Sequence, residues 1–267
     1  MTQMRTTTIQ EAIDTIVAAA NVALPPDTVD TVKMGDPTQP LTGIVTTFLA
    51  TQAVIARAAA VGANLIISHE SPFYIHLDDT EWLADDAVYQ AKRQLIDAHH
   101  IVIWRFHDYC HRGEPDGILM GALDQLGWEP TAPVRYPYVA TLPPRPLSEL
   151  ATEIKTRLGV PSVRVGGPDD LVCRRVGLLM GATGGRMQIT TLGRDDADAI
   201  ICGEINEWET SEYVRDAALL GRPKGLLVVG HAASEEAGMA YLARWLRQHV
   251  PAVPVTHIPA GDPLRSM

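Results

Sequence analysis

The chain has 267 residues, 46% hydrophobic and 20% charged, an ordinary composition for a soluble globular protein and enough for one large domain or two small ones. Its 32 acidic against 22 basic residues give a formal charge of -10, with no Lys/Arg cluster, which excludes a broad nucleic-acid footprint. No apolar run is long enough to span a bilayer, and MTQMRTTTIQEAI lacks the apolar core of a signal peptide, so the expectation is a cytoplasmic protein with neither membrane nor nucleic-acid partners.

Ile9 to Val22 has helical periodicity and is closed by the turn Leu24-Pro25-Pro26-Asp27. The segment to Thr42 is polar and broken by Pro and Gly. Gly43 to Leu49 then reads as a strand, Gln52 to Val61 as an Ala-rich helix and Asn64 to Ser68 as a second strand, with His69 and Glu70 directly after it. This βαβ pattern makes the two strands parallel neighbours. A loop over Ser71 to Asp79 leads to a helix over Trp82 to Ala98. A strand over Ile101 to Phe106 delivers His107, Asp108 and His111 at its carboxyl end. Gly117 to Leu126 is a short helix closed by Gly127.

After Trp128, prolines at 130, 133, 137, 143, 144 and 146 interrupt the chain, with a strand expected near Tyr136 to Leu142 and a helix over Leu147 to Leu158. Val176 to Met180 reads as a strand ending in the turn Gly181 to Gly185. Ala199 to Cys202 is another, ending in Gly203 and Glu204, and Asn206 to Leu220 is helical. Leu226 to Val229 is a buried strand ended by Gly230. A helix follows from Ser234 as N-cap, which leaves His231 and Glu235 in the strand-to-helix turn, and Pro254 to Ile258 adds a last strand. The fold expectation is therefore α/β, with two linked βαβ-type halves, mostly parallel sheets and a dinuclear metal site at the strand carboxyl ends. The halves are placed at residues 1–128 and 173–267, with 129–172 as a Pro-rich connection or small insertion and both halves in one compact unit.

Cys110, Cys173 and Cys202 are widely spaced without a CxxC pair, which argues against a disulfide framework or a thiolate zinc site; Cys173 and Cys202 read as small buried apolar residues. Three strand ends carry metal-compatible donors instead: His69 with Glu70, His107 with His111, and His231 with Glu235. Strand carboxyl ends of a parallel sheet share one edge, where ligands bind. A single strand-end histidine is ordinarily a hydrogen-bonded structural residue, but three such ends offer the nitrogen and oxygen donors that two divalent ions about 3.5–4 Å apart require. His76, His99, His100, His249 and His257 lie elsewhere and read as surface or packing residues.

The segments NLIISHESPFY (64 to 74), His107 with a polar residue four positions on, CGE (202 to 204) and GHAASEEAGM (230 to 239) occur in that order. Together they resemble the NGG-interacting-factor-three-like dinuclear-metal family, also labelled the GTP cyclohydrolase 1 type 2 family, from about Gly43 onward. That family's pattern is His-His, then His-Thr-x-x-Asp, then His-x-x-x-Glu. The resemblance implies metal ligands at His69, Glu70, His111, His231 and Glu235, with His107 on the first His of the middle motif. Two ligand types differ from the family's: Glu stands at 70 for His, and His at 111 for Asp. A shifted alignment would make Asp108 the middle ligand in place of His111. The resemblance further implies a ring-shaped homohexamer without the large middle insertion of some members.

With two divalent ions (Zn, Mn, Fe or similar), the mechanistic expectation is that Glu235 bridges them, His69 and His111 complete one, and Glu70 with His231 the other. Glu204, and Asp108 if it is not a ligand, are then the catalytic carboxylates that move protons. The substrate would be a small molecule: a nucleotide, phosphoester or cyclic amide. Phe73, Tyr74 and Trp208 are candidates to flank a ring, or to close the site or line a subunit contact. The Gly181 to Gly185 turn is either a phosphate cradle or an ordinary tight loop, and no Walker-type lysine follows it. Two other functions fit the same residues: a metal-binding scaffold or metal-handling protein, and a regulatory protein whose His and Glu residues only hydrogen-bond.

Overall fold

The computed structural model describes residues 7–265. In chain order the elements are α1 (Ile9–Ala20), β1 (Val32–Met34), β2 (Ile44–Thr47), α2 (Gln52–Ala60), β3 (Leu65–Ser68), α3 (Ala87–Ala98), β4 (Val102–Arg105) and α4 (Asp108–Arg112). There follow α5 (Gly117–Leu126), β5 (Tyr138–Pro146), α6 (Leu147–Leu158), β6 (Arg164–Gly166), β7 (Val172–Leu179), α7 (Gly185–Gly193), β8 (Ala199–Cys202), α8 (Glu212–Leu219), β9 (Gly225–Val228), α9 (His231–His249) and β10 (Val255–His257). The chain forms two compact units. One comprises the chain up to Gly113 and Met239–Ala260; the other comprises Glu114–Gly238 and the chain from Gly261 onward.

The first unit is built on a sheet of order β1-β4-β3-β2-β10, parallel except for β1 against β4. All four residues of each of β2, β3 and β4 are buried, as expected of parallel strands covered on both faces. Ile55 of α2 and Ile96 of α3 pack with Ile66 and Ile103 in its core. Because Ser68 of β3 is in register with Arg105 of β4, the residues that follow the two strands leave the sheet side by side. The second unit has the order β5-β7-β8-β9-β6, with β7, β8 and β9 parallel and antiparallel strands at both edges. Its core joins Leu179, Leu192, Ile200, Val214 and Leu226. Here Leu179, Cys202 and Val228 stand level, so the residues after β7, β8 and β9 also meet at one edge. The mixed α/β architecture with two mostly parallel sheets is the one expected.

Local differences from the sequence expectation have local causes. The helix expected from Trp82 begins at Ala87, since the Asp86 side chain accepts the Tyr89 N–H at 2.9 Å, and a 3-10 turn covers Glu81–Leu83. The single helix expected over Asn206 to Leu220 starts as a π-helical turn, Glu207–Ser211. The edge strands β1 and β6 are three residues long and partly exposed, too short and too polar for a period-2 signal. The largest difference in its consequence is α9, which starts at His231 instead of Ser234. Ser234 is not its cap: its hydroxyl donates to the His231 carbonyl at 2.7 Å and accepts the Gly181 N–H at 2.9 Å. His231 and Glu235 therefore sit one turn apart on a helix face.

All three cysteines are free and buried. Burial pushes the Cys173 thiol up to about 11 and the Cys202 thiol up to about 12, so both are inert fillers as expected. Among the described residues, no helix is long and apolar enough to cross a membrane.

Candidate metal centre

In the first unit, backbone pairing with β2 continues past β3: the His69 N–H donates to Thr47 O at 3.1 Å and the Glu70 N–H to Phe48 O at 2.8 Å. This fixes where both side chains start. His69 is fully buried. From the neighbouring strand end, α4 carries His107 at its N-cap and His111 four residues on. The His69 ring stacks on His107 with centroids 4.7 Å apart and meets His111 edge-on at 5.1 Å, while His107 and His111 are 4.8 Å apart. Each of the three imidazoles offers a nitrogen within 4.8 Å of the others. Burial, and then the neighbouring rings of His69 and His111, lower the His107 pKa to about 3. A neutral imidazole is the ligand form, so this donor set fits a divalent ion such as zinc, manganese or iron.

Glu70 borders this cluster. Its Oε2 accepts from Arg105 Nη2 at 2.8 Å, and its Oε1 lies 3.8 Å from His107 Nε2. His76, assigned from sequence to surface or packing, belongs with these two: Glu70, His76 and His107 form a second group with ligand atoms within 4.8 Å of one another. Nothing in the spacing of His76 signalled this, because the irregular segment between β3 and the 3-10 turn at Glu81 brings it back. Asp108 is hydrogen-bonded on both oxygens, to His107 Nδ1 at 3.0 Å and to the Thr28 hydroxyl at 2.8 Å. Burial raises its carboxyl, but the bonds from His107 and Thr28 outweigh that and hold it below the usual carboxylate range. His249 and His257 have the packing roles expected: the first stacks on Trp245 at 4.0 Å and the second bonds to the Thr46 carbonyl at 3.1 Å.

The loop after Glu70 rests on Lys92. This buried ammonium donates to Pro72 O at 2.5 Å and lies 5.2 Å from the Tyr74 ring centroid. Burial lowers its pKa from 10.5 to about 8. The unfolded chain then holds more protons between those two values, so this group makes stability rise as pH increases from 8 to 10.5. Urea unfolding compared at the ends of that interval is expected to show a gain of about 2–3 kcal/mol that is missing in Lys92→Met. Equal pH dependence in the two proteins would contradict the assignment.

In the second unit, His231 is held between two carboxylates. Its Nδ1 is 2.7 Å from Glu204 Oε1, at the end of β8, and its Nε2 is 3.0 Å from Glu235 Oε2, one helical turn along α9. Glu235 is buried, whereas the Glu204 side chain is 57% exposed and open to a reactant. The fit is tight around Gly181: a Cβ there would lie 2.2 Å from Glu235 Oε1 and 3.3 Å from His231 Nε2. The Gly181 N–H is taken by Ser234 and its carbonyl by the Glu204 N–H. Both backbone groups of Gly181 are thus engaged within the turn's own surroundings. Of the three aromatics singled out, Phe73 is buried edge-on against Tyr89 at 5.0 Å, while Tyr74 and Trp208 are 52% and 77% exposed.

The sequence-derived site residues are therefore grouped by unit, with His69, Glu70, Asp108 and His111 in the first and Glu204, His231 and Glu235 in the second. A relative from Escherichia coli (strain K12), a GTP cyclohydrolase 1 type 2 homolog, is 26% identical over 226 residues, covering 82% of this chain and 85% of its own. Among solved structures, a Bacillus cereus protein related to NIF3 matches with TM-score 0.81 and 14% identity over 99% of this chain and 100% of that one. The Staphylococcus aureus hypothetical protein SA1388 matches with TM-score 0.79 and 18% identity, over 98% and 100%. At such identities these two structures establish the fold alone. The model of the Duf34/NIF3 (NGG1p interacting factor 3) family matches residues 7–263, nearly the whole chain, and the chain belongs to that family.

Proposed function

We propose that the chain binds two divalent ions through His69, Glu70, His111, His231 and Glu235 and uses them to hydrolyse a nucleotide, phosphoester or cyclic amide. The observation that carries this reading is the group of three imidazoles, His69, His107 and His111, with nitrogens within 4.8 Å of one another at two adjacent strand ends. A pair of divalent ions supplies Lewis acidity and an activated water at neutral pH. The chain's own residues do the rest. Glu204, the exposed carboxylate, takes and returns the proton, and Tyr74 and Trp208 offer faces on which a ring can stack. The name of the E. coli relative favours a purine nucleotide among the candidate substrates. Three free buried thiols suit a reducing compartment, supporting a cytoplasmic protein. The homohexamer implied by the family resemblance completes the proposal.

Elemental analysis of protein purified without chelators is expected to find about two equivalents of divalent metal per chain. His69→Ala is expected to lose at least one of them. Only trace metal in the parent protein, or unchanged content in the variant, would overturn the metal assignment. EDTA-sensitive turnover in a screen of GTP, phosphodiesters and cyclic amides tests the catalytic half. A fully loaded protein that turns over none of them would be a metal-handling scaffold.

A further inference from the structure

The N-terminal segment Thr28 to Asp30 has no role in the function above, yet the side chains of Thr28 and Asp30 both converge on the start of α4. Asp30 is buried, and its carboxylate accepts three consecutive backbone N–H groups: Oδ1 from His107 at 2.8 Å and Asp108 at 3.0 Å, Oδ2 from Tyr109 at 2.8 Å. It thus caps α4 from a distant segment, a task the His107 side chain does not perform. Burial pushes the Asp30 carboxyl up, and the three N–H bonds pull it partly back. Two residues earlier, the Thr28 hydroxyl accepts the Asp30 N–H at 3.2 Å and donates to Asp108 Oδ2 at 2.8 Å. The other Asp108 oxygen faces His107 Nδ1 at 3.0 Å.

These contacts leave one arrangement of protons. An ionised carboxylate only accepts, so the bond between Asp108 and His107 requires the proton on Nδ1. The lone pair is then on Nε2, whose contact to Glu70 Oε1, at 3.8 Å, is beyond hydrogen-bond reach. We infer that Thr28, Asp30 and Asp108 are positioning residues that lock His107 in the Nδ1–H form, so that its Nε2 is presented as a further metal-donor nitrogen beside His69 and His111. The donor role of His107 rests on the metal reading above, whereas the tautomer lock does not. Asp30 fixes the peptide, Thr28 fixes the carboxylate, and the carboxylate fixes the ring. Partners of this kind orient a metal-binding imidazole and make it more basic, and losing one costs roughly 10–100-fold in metal affinity.

The test uses the full chain labelled with 15N at histidine, studied metal-free and then titrated with Co2+. The parent protein is expected to show His107 as the Nδ1–H tautomer. Asp108→Ala should mix the tautomers and weaken Co2+ binding about 10–100-fold. Thr28→Val, a milder change that keeps the fold testable if Asp108→Ala does not fold, should move both readouts in the same direction. Thr28→Ser, which retains the hydroxyl, should restore them. A merely structural threonine would not be rescued selectively in the tautomer signal. An unchanged tautomer and unchanged Co2+ affinity in Asp108→Ala or Thr28→Val overturns the inference. If the tautomer shifts as expected while Co2+ fails to bind even the parent protein, the metal reading falls and the lock stands.

Discussion

Arg105→Met is expected to lower the free energy of unfolding by about 3–5 kcal/mol, read from urea denaturation of the metal-free chain. Arg105 is fully buried at the end of β4, in a strand otherwise made of apolar residues. Its guanidinium donates through Nε to the His69 carbonyl at 3.1 Å, through Nη1 to the His76 carbonyl at 2.5 Å and through Nη2 to Glu70 Oε2 at 2.8 Å. Asp78 lies 3.4 Å from Nη1 and is also paired with Lys33 at 2.5 Å. Replacing a buried ion pair as a whole can be neutral, but removing one member leaves the other charged and desolvated. Here the single change would take the guanidinium away from Glu70 and from two carbonyls together. Lysine should restore little of the loss, because one ammonium cannot reproduce the planar fork that reaches three acceptors in different directions. A loss below about 1 kcal/mol, the level of an exposed pair, would show that this hub does not hold the loop.

Gly181→Ala is expected to weaken metal binding about 10–100-fold and to cost about 1–3 kcal/mol of stability. Gly181 has φ +71°, where a side chain is strained, and the added Cβ would overlap the Glu235 carboxylate at 2.2 Å. Glu235 is on α9 and cannot retreat without losing the 3.0 Å contact to His231. Gly184→Ala is the internal control: its φ of +79° is likewise positive, so a side chain is strained there too, but the new methyl would meet nothing within 4 Å. Metal titration and denaturation of both variants should therefore show both destabilised, Gly181→Ala the more, and a binding loss in Gly181→Ala alone. Equal metal affinity in the two would remove Glu235 from the ligand set.

Much of the fold was legible before any coordinates. The strand Ala199–Cys202 and the helices over Gly117–Leu126 and Leu147–Leu158 were placed at their observed boundaries, because apolar periodicity and a closing glycine are local signals. The boundary of α9 was misplaced because Ser234 resembles a cap in sequence, while its hydroxyl is in fact bonded to Gly181, 53 residues away. The edge strands β1 and β6 were missed for a related reason. Their pairing partners, not their composition, make them strands.

The candidate site divides along the same line. A histidine or glutamate directly after a buried parallel strand can be found by eye, and so His69, Glu70, His111, Glu204, His231 and Glu235 were named from spacing alone or from family resemblance. Thr28, Asp30, His76 and Arg105 were not. They lie on loops or inside an apolar strand, and each becomes informative only through a partner far along the chain, such as the 77 residues between Asp30 and His107. Sequence by itself determined most of the elements, the buried strands and the donors at their ends, since these follow from local periodicity and side-chain chemistry. Only the tertiary structure decided which oxygen holds which imidazole and which buried charge is compensated, because hydrogen bonds and desolvation depend on distances that the folded chain alone sets.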